Sequence, residues 1–336
     1  MKTRLLIGWL ILERVGIAGL LLVVVLLPQL FSPFVSGSIG IQALALGIGA
    51  ASIIFLNAVV GMVSLAQTAL YGIAAYTTAK LAVVQGVDPW AAALAAVGVT
   101  VAVALVFGAV ASHSEGIYYL MITLAFAVIT FYFFSQVTAF GSHEGINAVQ
   151  PPPLLGNPFI DPKGMYYAAL ICSAAIYLLT LYLRRTPLGY ALQGVRDEPV
   201  RMRALGFNVP MLRTVAFGLG AFIAAVAGVL LVWYNSNVSP GAIDLTRTID
   251  LLTIAVIGGL GRLEGAWIGA LLFALVQTYA PAYTDRFQTL IGLVFLAIVL
   301  ASPGGIAGIA ISMDRWVRCR LGEGSHAVGA SSNLQP

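Results

Sequence analysis

Stretches of about 20 apolar residues, the length that crosses a bilayer as a helix, recur along nearly the whole of this chain, and few charges interrupt them. Of its 336 residues 60% are hydrophobic and only 9% are charged, where a soluble domain carries roughly 25%. A soluble protein of this size could not cover its surface with so few charges, so lipid must be the solvent for much of the chain. In lipid the backbone has to satisfy its own hydrogen bonds, which leaves helices or a closed barrel. A barrel would alternate apolar and polar residues in short segments, and unbroken runs such as Ile17 to Leu27 argue against it. The expected fold is all-α, a polytopic transmembrane helical bundle.

The apolar pattern places spans near 15–35, 39–62, 64–84, 90–110, 117–139, 165–183, 214–234, 249–260, 264–281 and 287–302, a bundle of about 8–10 crossings. The run at 249–260 is too short to cross alone as a regular helix. It reads as a half-helix, or as a hairpin with the next run through Gly258-Gly259-Leu260-Gly261. Orientation follows from the charges. With the N-terminus inside, the inside segments hold Lys2, Arg4, Arg14, Arg184, Arg185, Arg196, Arg201, Arg203, Arg213, Arg262, Arg315, Arg318 and Arg320, which is 13 of the 17 basic residues. Lys163, Arg247 and Arg286 fall outside, and Lys80 lies near the outer end of a span. This bias toward the cytoplasmic side predicts an even number of crossings and both termini cytoplasmic.

The chain then divides into a cytoplasmic N-terminal segment over 1–14, a transmembrane domain over 15–311 and a cytoplasmic tail over 312–336. The domain is interrupted by an outer loop at 140–164 and an inside segment at 184–213. The tail after Arg320 is small and polar, a composition expected of disordered chain. A cleaved signal peptide is the alternative for the N-terminus, but Glu13 and Arg14 interrupt the early apolar stretch and no small-residue cleavage site follows. The net charge of +4 is distributed by membrane side, so no nucleic-acid partner is expected. Cys172, in an apolar run, and Cys319, in the tail, fall in different environments and imply no disulfide framework.

Three segments carry the functional information. The first is the inside segment, RRTPLGYALQGVRDEPVRMRALGFNVPMLR. It is longer than a simple connection requires, and Val200 to Leu205 predicts a short helix with Pro199 in its first turn and Gly206 at its end. Such a helix at the membrane face is either a docking surface or an anchor at lipid headgroups. The second runs from Leu56 to Lys80. Small residues there permit close helix packing, while Asn57, Gln67, Thr68 and Tyr71 place polar groups at membrane depth, facing other helices or a water-filled path. The third, residues 248–272, opens with Asp250 and centres on Gly258 to Gly261. Interrupted hydrophobic segments mark binding sites in transporters. An intramembrane carboxylate is a functional candidate by default, although Asp250 could instead cap a helix at the outer interface.

Other chemistry is not encoded. There is no GxxxxGK[ST] loop, and the only lysines are Lys2, Lys80 and Lys163, so the chain does not hydrolyse ATP in the P-loop manner by itself. His113, His143 and His326 have no metal-ligand spacing. No GxSxG nucleophile motif is present.

At these segments the sequence resembles the membrane subunits of ATP-binding-cassette importers for branched-chain amino acids. The similarity covers about residues 40–310. It rests on Leu56 to Ala79; on Gly116 to Thr123, which is similar to a Gly-x-Tyr-x-x-x-x-Thr-Leu pattern at the head of a span; on Gly194-Val195-Arg196-Asp197 through Ala204-Leu205-Gly206; and on Ile257-Gly258-Gly259-Leu260-Gly261 with Gly265 and Gly269. The long outer loop and the Arg-Asp segment look more like the second, M-type subunit. The resemblance implies a bacterial inner-membrane permease that is not an enzyme and binds no cofactor, ATP being used by separate cytoplasmic ATP-binding subunits. It implies a second permease subunit, alike or different, and an external substrate-binding protein docked on the outer loops. It assigns ATPase coupling to Gly194, Arg196, Asp197, Glu198, Ala204, Leu205 and Gly206. The translocation-path candidates are Asn57, Gln67, Thr68, Tyr71, Thr123, Asp250, Gly258 and Gly259. The chain departs from the family where Pro199, Arg201, Met202 and Arg203 replace an acidic, Ala-rich helix, which calls for an acidic groove on the ATPase. It departs again at His143 and Glu144, where smaller or polar residues are usual. Related systems carry urea, short amides or aromatic acids, so the substrate stays open. An ion-coupled transporter using Asp250, a passive channel and a membrane scaffold are the competing readings.

Overall fold

The computed structural model describes residues 35–156, 162–282, 287–301 and 305. The expected spans become helices because an apolar backbone in lipid has no other partner than itself. A π-helical turn, Val35–Ile41, leads into α1 (Gln42–Val60). Then come α2 (Gln67–Ala79), extended by the π-helical turn Lys80–Val84, α3 (Pro89–Ala111), α4 (Ile117–Gln136) and α5 (Lys163–Arg184). Next are α6 (Pro187–Asp197), α7 (Pro199–Ala204) and α8 (Val209–Asn235), followed by α9 (Leu245–Gly258), α10 (Gly265–Tyr279) and α11 (Phe287–Ala301). The span expected at 15–35 lies almost wholly outside the described residues, and the tail at 312–336 lies outside them entirely.

Among the described residues, five helices are long and apolar enough to cross a membrane: Ile39–Val60, α3, α4, α5 and α8. At a rise of 1.5 Å per residue, α9 and α10 each reach only about 21–23 Å, short of the roughly 30 Å hydrocarbon core. They form a hairpin at 259–264, the second of the two arrangements open from sequence. The helix α9 begins at Leu245, four residues before the expected boundary at 249, because Asp244 accepts from the Leu245 N–H and caps it.

Burial sorts the helices into a centre and a rim. Of the most apolar stretch of α1, 83% is buried, and of α8 78%; for α3, α4 and α5 the figure is 28–33%. The rim helices follow from their small residues. Along α3, Ala92, Ala96, Thr100, Ala104 and Gly108 are buried every fourth residue, a stripe facing α8, while Leu94, Val106 and Val110 point outward. A soluble helix would turn its large apolar residues inward. Here lipid solvates them, and the small face lets helices approach closely.

Two ends of the bundle are distinct. The basic end carries the 61–66 and 112–116 connections, α6, α7 and the α9–α10 turn, with Arg184, Arg185, Arg196, Arg201, Arg203, Arg213 and Arg262 on it or beside it. The ladder end carries the described residues 137–156 and the 236–244 connection, which meet in a two-residue antiparallel ladder, β1 (Ile146–Asn147) against β2 (Asn237–Val238). Lys80 lies 4.1 Å from the centre of the Phe140 ring there, a cation–π contact that fixes the longer connection to α2.

The apolar run from 39 to 84 breaks for longer than the pattern implied, between Val60 and Gln67, so α2 starts at Gln67 rather than 64. Gly61 adopts φ 76°, ψ 19°, and its N–H and that of Met62 return to Asn57 and Leu56, which ends α1. That left-handed conformation favours glycine. The exposed backbone of the break is satisfied from α4, where the Thr123 hydroxyl accepts from the Leu65 N–H at 3.3 Å and donates to the Leu120 carbonyl at 2.9 Å.

Candidate functional site

The ladder end opens into a cavity of about 620 Å³ between α1, α2, α8 and α9. Its wall carries polar groups from Gln42, Tyr71, Asn235, Asn237 and Ser239 and apolar ones from Leu46, Leu231, Leu251 and Phe273. Two charged residues line it among the described residues, Arg247 and Asp250. They sit at i and i+3 on α9, with Arg247 Nη1 3.7 Å from Asp250 Oδ2, and their side chains are 44% and 25% exposed. Asp250 is in the second turn of α9, and Asp244 is the cap, so the capping role left open for Asp250 is taken by another residue. At the head of α1 the Gln42 amide donates to the Gln277 Oε1 on α10 at 2.9 Å, tying the hairpin to the central helix.

Of the candidate path residues, Tyr71 and Asp250 line this cavity, and the others sit elsewhere. Gln67 and Thr68 are 1% exposed at the start of α2, beyond the break at 61–66, and neither side chain has a hydrogen-bond partner among the described residues. Thr123 holds the break itself. Asn57 donates to the Leu260 carbonyl in the α9–α10 turn at 3.0 Å. Gly258 and Gly265 bring α9 and α10 into backbone contact: a Cβ on either would overlap the carbonyl of the other. Gly259, at φ 105°, ends α9.

The coupling candidates gather at the basic end. The segment 184–213 is two helices rather than a loop with one. Thr186 accepts from the Gly189 N–H at 3.2 Å, and Pro187 starts α6. The short helix expected at 200–205 is α7, ended by Leu205 and by Gly206 at φ 89°. Gly194 and Arg196 are on α6, which ends at Asp197, and Glu198 joins it to α7 and Ala204. Arg196 turns back into the bundle. Its Nη1 donates to the Ala58 carbonyl in the last turn of α1 at 2.6 Å, and its Nε to Asp197 at 2.9 Å. Its stem lies over Gly61, where a Cβ would come 2.7 Å from Arg196 Cγ. A guanidinium at a helix C-terminus meets carbonyls with no intrahelical partner and the negative end of the helix dipole. Val200, Leu205 and Phe207 remain exposed beside it.

Sequence reasoning missed two features. Glu115, in the α3–α4 connection, accepts from Arg203 of α7 and from Arg213 of α8, both at 3.0 Å. An acid among so many arginines was the available signal. From sequence Arg247 reads only as an outer charge, and nothing in the pattern shows that it lies beside Asp250 on the wall of a cavity. The hydrogen bond from Arg213, which is itself buried, holds the Glu115 carboxyl below the usual carboxylate range. A lowered folded value means that the clamp contributes stability above the ordinary carboxylate pKa and loses it as pH falls through the folded value. Glu115→Gln should cost about 1 kcal/mol at neutral pH, less than a shielded charged hydrogen bond because Glu115 is half exposed. The difference from wild type in thermal unfolding should shrink in acid.

Comparison with known proteins places this architecture. The chain is 23% identical over 323 residues to LivM of Salmonella typhimurium, a high-affinity branched-chain amino acid transport system permease protein, covering 88% of this chain and 75% of the relative. It is 28% identical over 177 residues to LivH of Escherichia coli, covering 49% and 57%. It is 33% identical over 132 residues to BraD of Pseudomonas aeruginosa, covering 39% and 43%. No solved structure matches at a significant level. The family model for the permease component of the branched-chain amino acid transport system matches residues 37–302, which take in both the cavity and the basic end, and the chain belongs to that family.

Proposed function

We propose that this chain is the membrane permease subunit of an ATP-driven importer for branched-chain or related amino acids, working with separate ATPases, a second permease and an external binding protein. The observation that carries the reading is the connection from α6 through Arg196 to the last turn of α1. A docked ATPase would move α6 and α7. That motion reaches α1 through Arg196, and the adjoining Asn57 passes it to the α9–α10 turn. The helix α9 carries Asp250 into the cavity. A device at one end of the bundle thus acts on a site at the other through paired hydrogen bonds rather than loose chain. In this reading the basic end faces the cytoplasm, in keeping with the charge bias, and the ladder end faces the binding protein with its two joined connections. The basic α7, with Arg201 and Arg203, calls for an acidic groove on the ATPase.

Purification of the tagged chain from its native membrane in mild detergent, with mass spectrometry of everything retained, tests this. A P-loop ATPase and a second permease are the expected companions. Recovery of the chain alone, or only with copies of itself, would overturn the importer reading in favour of an ion-coupled or passive transporter.

A further inference from the structure

We infer that the cavity at the ladder end is a binding site for a free amino acid as a zwitterion, with the substrate carboxylate on Arg247 and its ammonium on Asp250. The inference deepens the importer reading and rests on it for the class of solute.

The first argument is charge. The cavity wall holds one cation and one anion among the described residues, three positions apart on α9 and therefore on one face of it. At 3.7 Å their nearest atoms are beyond hydrogen-bond distance. Asp250 is three-quarters withdrawn from water with only this long contact to Arg247, and Arg247, at 44% exposed, is open on its other side, so both charges can take a further partner. A zwitterion completes both at once and leaves the site neutral. A carboxylate alone would meet Asp250 as a repulsive neighbour, an amine alone would meet Arg247, and a neutral amide would satisfy neither charge.

Second, the pair does less for the helix than its spacing allows. Arg247 is in the first turn of α9, where the helix dipole favours an anion. The order along the helix, cation before anion, is also the less favourable one for an intrahelical pair. Asp244 already caps the helix. A helix built only for stability would not place an arginine there.

The third argument is shape. The volume of about 620 Å³ is within the range of small-molecule sites. Leu46, Leu231, Leu251 and Phe273 give an aliphatic side chain apolar surface, and Tyr71 and Asn235 add polar groups to the same wall. The wall therefore offers partners to both a polar head and an apolar tail.

The test uses the purified full-length chain in lipid nanodiscs and saturation-transfer NMR with L-leucine, isocaproate (leucine without its amine), isoamylamine (leucine without its carboxylate) and urea as probes. Leucine should give a saturable signal, and the two singly charged analogues and urea should bind roughly ten-fold or more weakly, as expected when a charged hydrogen-bond partner is lost. Arg247→Gln and Asp250→Asn should each weaken leucine binding by a similar factor, with unchanged thermal unfolding. The exchanged pair, Arg247→Asp with Asp250→Arg, should recover part of it. No leucine signal, or equal binding of leucine and isocaproate to the unaltered chain, would overturn the inference. That comparison needs no variant to fold. Failure of the importer reading would appear separately, in the absence of an ATPase from the purified complex, so the two can fall independently.

Discussion

Arg196→Glu is expected to reduce solute uptake by roughly ten-fold or more in the intact system while the chain still folds and the partner ATPase still turns over. In the last turn of α1 the carbonyls lack intrahelical partners, and Arg196 supplies a charged donor to Ala58 at 2.6 Å while its stem covers Gly61. A charge-assisted hydrogen bond of this kind contributes about 1.5–3 kcal/mol when shielded. With Arg196 40% exposed, the lower part of that range applies to stability. The larger effect is mechanical. Glutamate puts an anion against the negative end of the helix dipole, so α6 is pushed from α1 rather than drawn to it. Motion of α6 and α7 is then no longer delivered to the turn that Asn57 holds. Arg196→Lys keeps the charge but not the planar fork that reaches both Ala58 and Asp197, and should be intermediate. Uptake and ATP hydrolysis measured side by side in membrane vesicles check this. Normal substrate-stimulated hydrolysis and uptake in the glutamate variant would remove Arg196 from the coupling route.

Gly258→Val should have the largest effect on stability, at about 3 kcal/mol or more, and should lower the yield of folded protein sharply. Overpacking a core ordinarily costs about 1–3 kcal/mol because side chains can shift. At Gly258 the obstacle is the Gly265 carbonyl, and at Gly265 it is the Gly258 carbonyl, so relief requires parting α9 from α10. Gly269 packs on the Ile254 carbonyl one turn further on, so the two helices are in backbone contact over successive turns. Gly261 is the control. It lies in the same turn, yet a Cβ there would meet nothing within 4 Å among the described residues, and Gly261→Ala should be close to neutral. Thermal unfolding of the purified variants separates the two outcomes. Equal stability of both would show that the helices do not touch as described.

These two sites differ in how far they could be read from sequence. The apolar pattern located α3, α4, α5 and α8 within a few residues, because lipid rewards a continuous apolar run wherever it occurs. The short helix α7 was legible from Pro199 and Gly206. The break at 61–66 was not legible in full, since Met62, Val63 and Leu65 are as apolar as their neighbours. The chain leaves the helix there because of a left-handed Gly61 and a hydroxyl supplied by Thr123, 58 residues away. The ladder between 146 and 238 has no periodicity to detect in two residues. Within the site, Asp250 stood out as an acid in an apolar run, and Tyr71 as a polar group at depth. Arg247 did not, because its role depends on which face of α9 looks into the cavity. Likewise Gly258 was visible as part of a glycine cluster, but only the structure shows that its neighbour is a backbone carbonyl.

The account turns on α6 and α7 being the surface that a cytoplasmic ATPase moves, and photo-crosslinking from α7 in intact membranes tests that most directly. A benzoyl-phenylalanine introduced at Val200 or Leu205, both exposed on that surface, should join the chain to a P-loop ATPase on illumination. The same probe at Leu94, on the outward face of α3, should not. Crosslinks from Val200 and Leu205 to lipid alone, or the same products from all three positions, would contradict the account and leave these helices as anchors at the membrane surface.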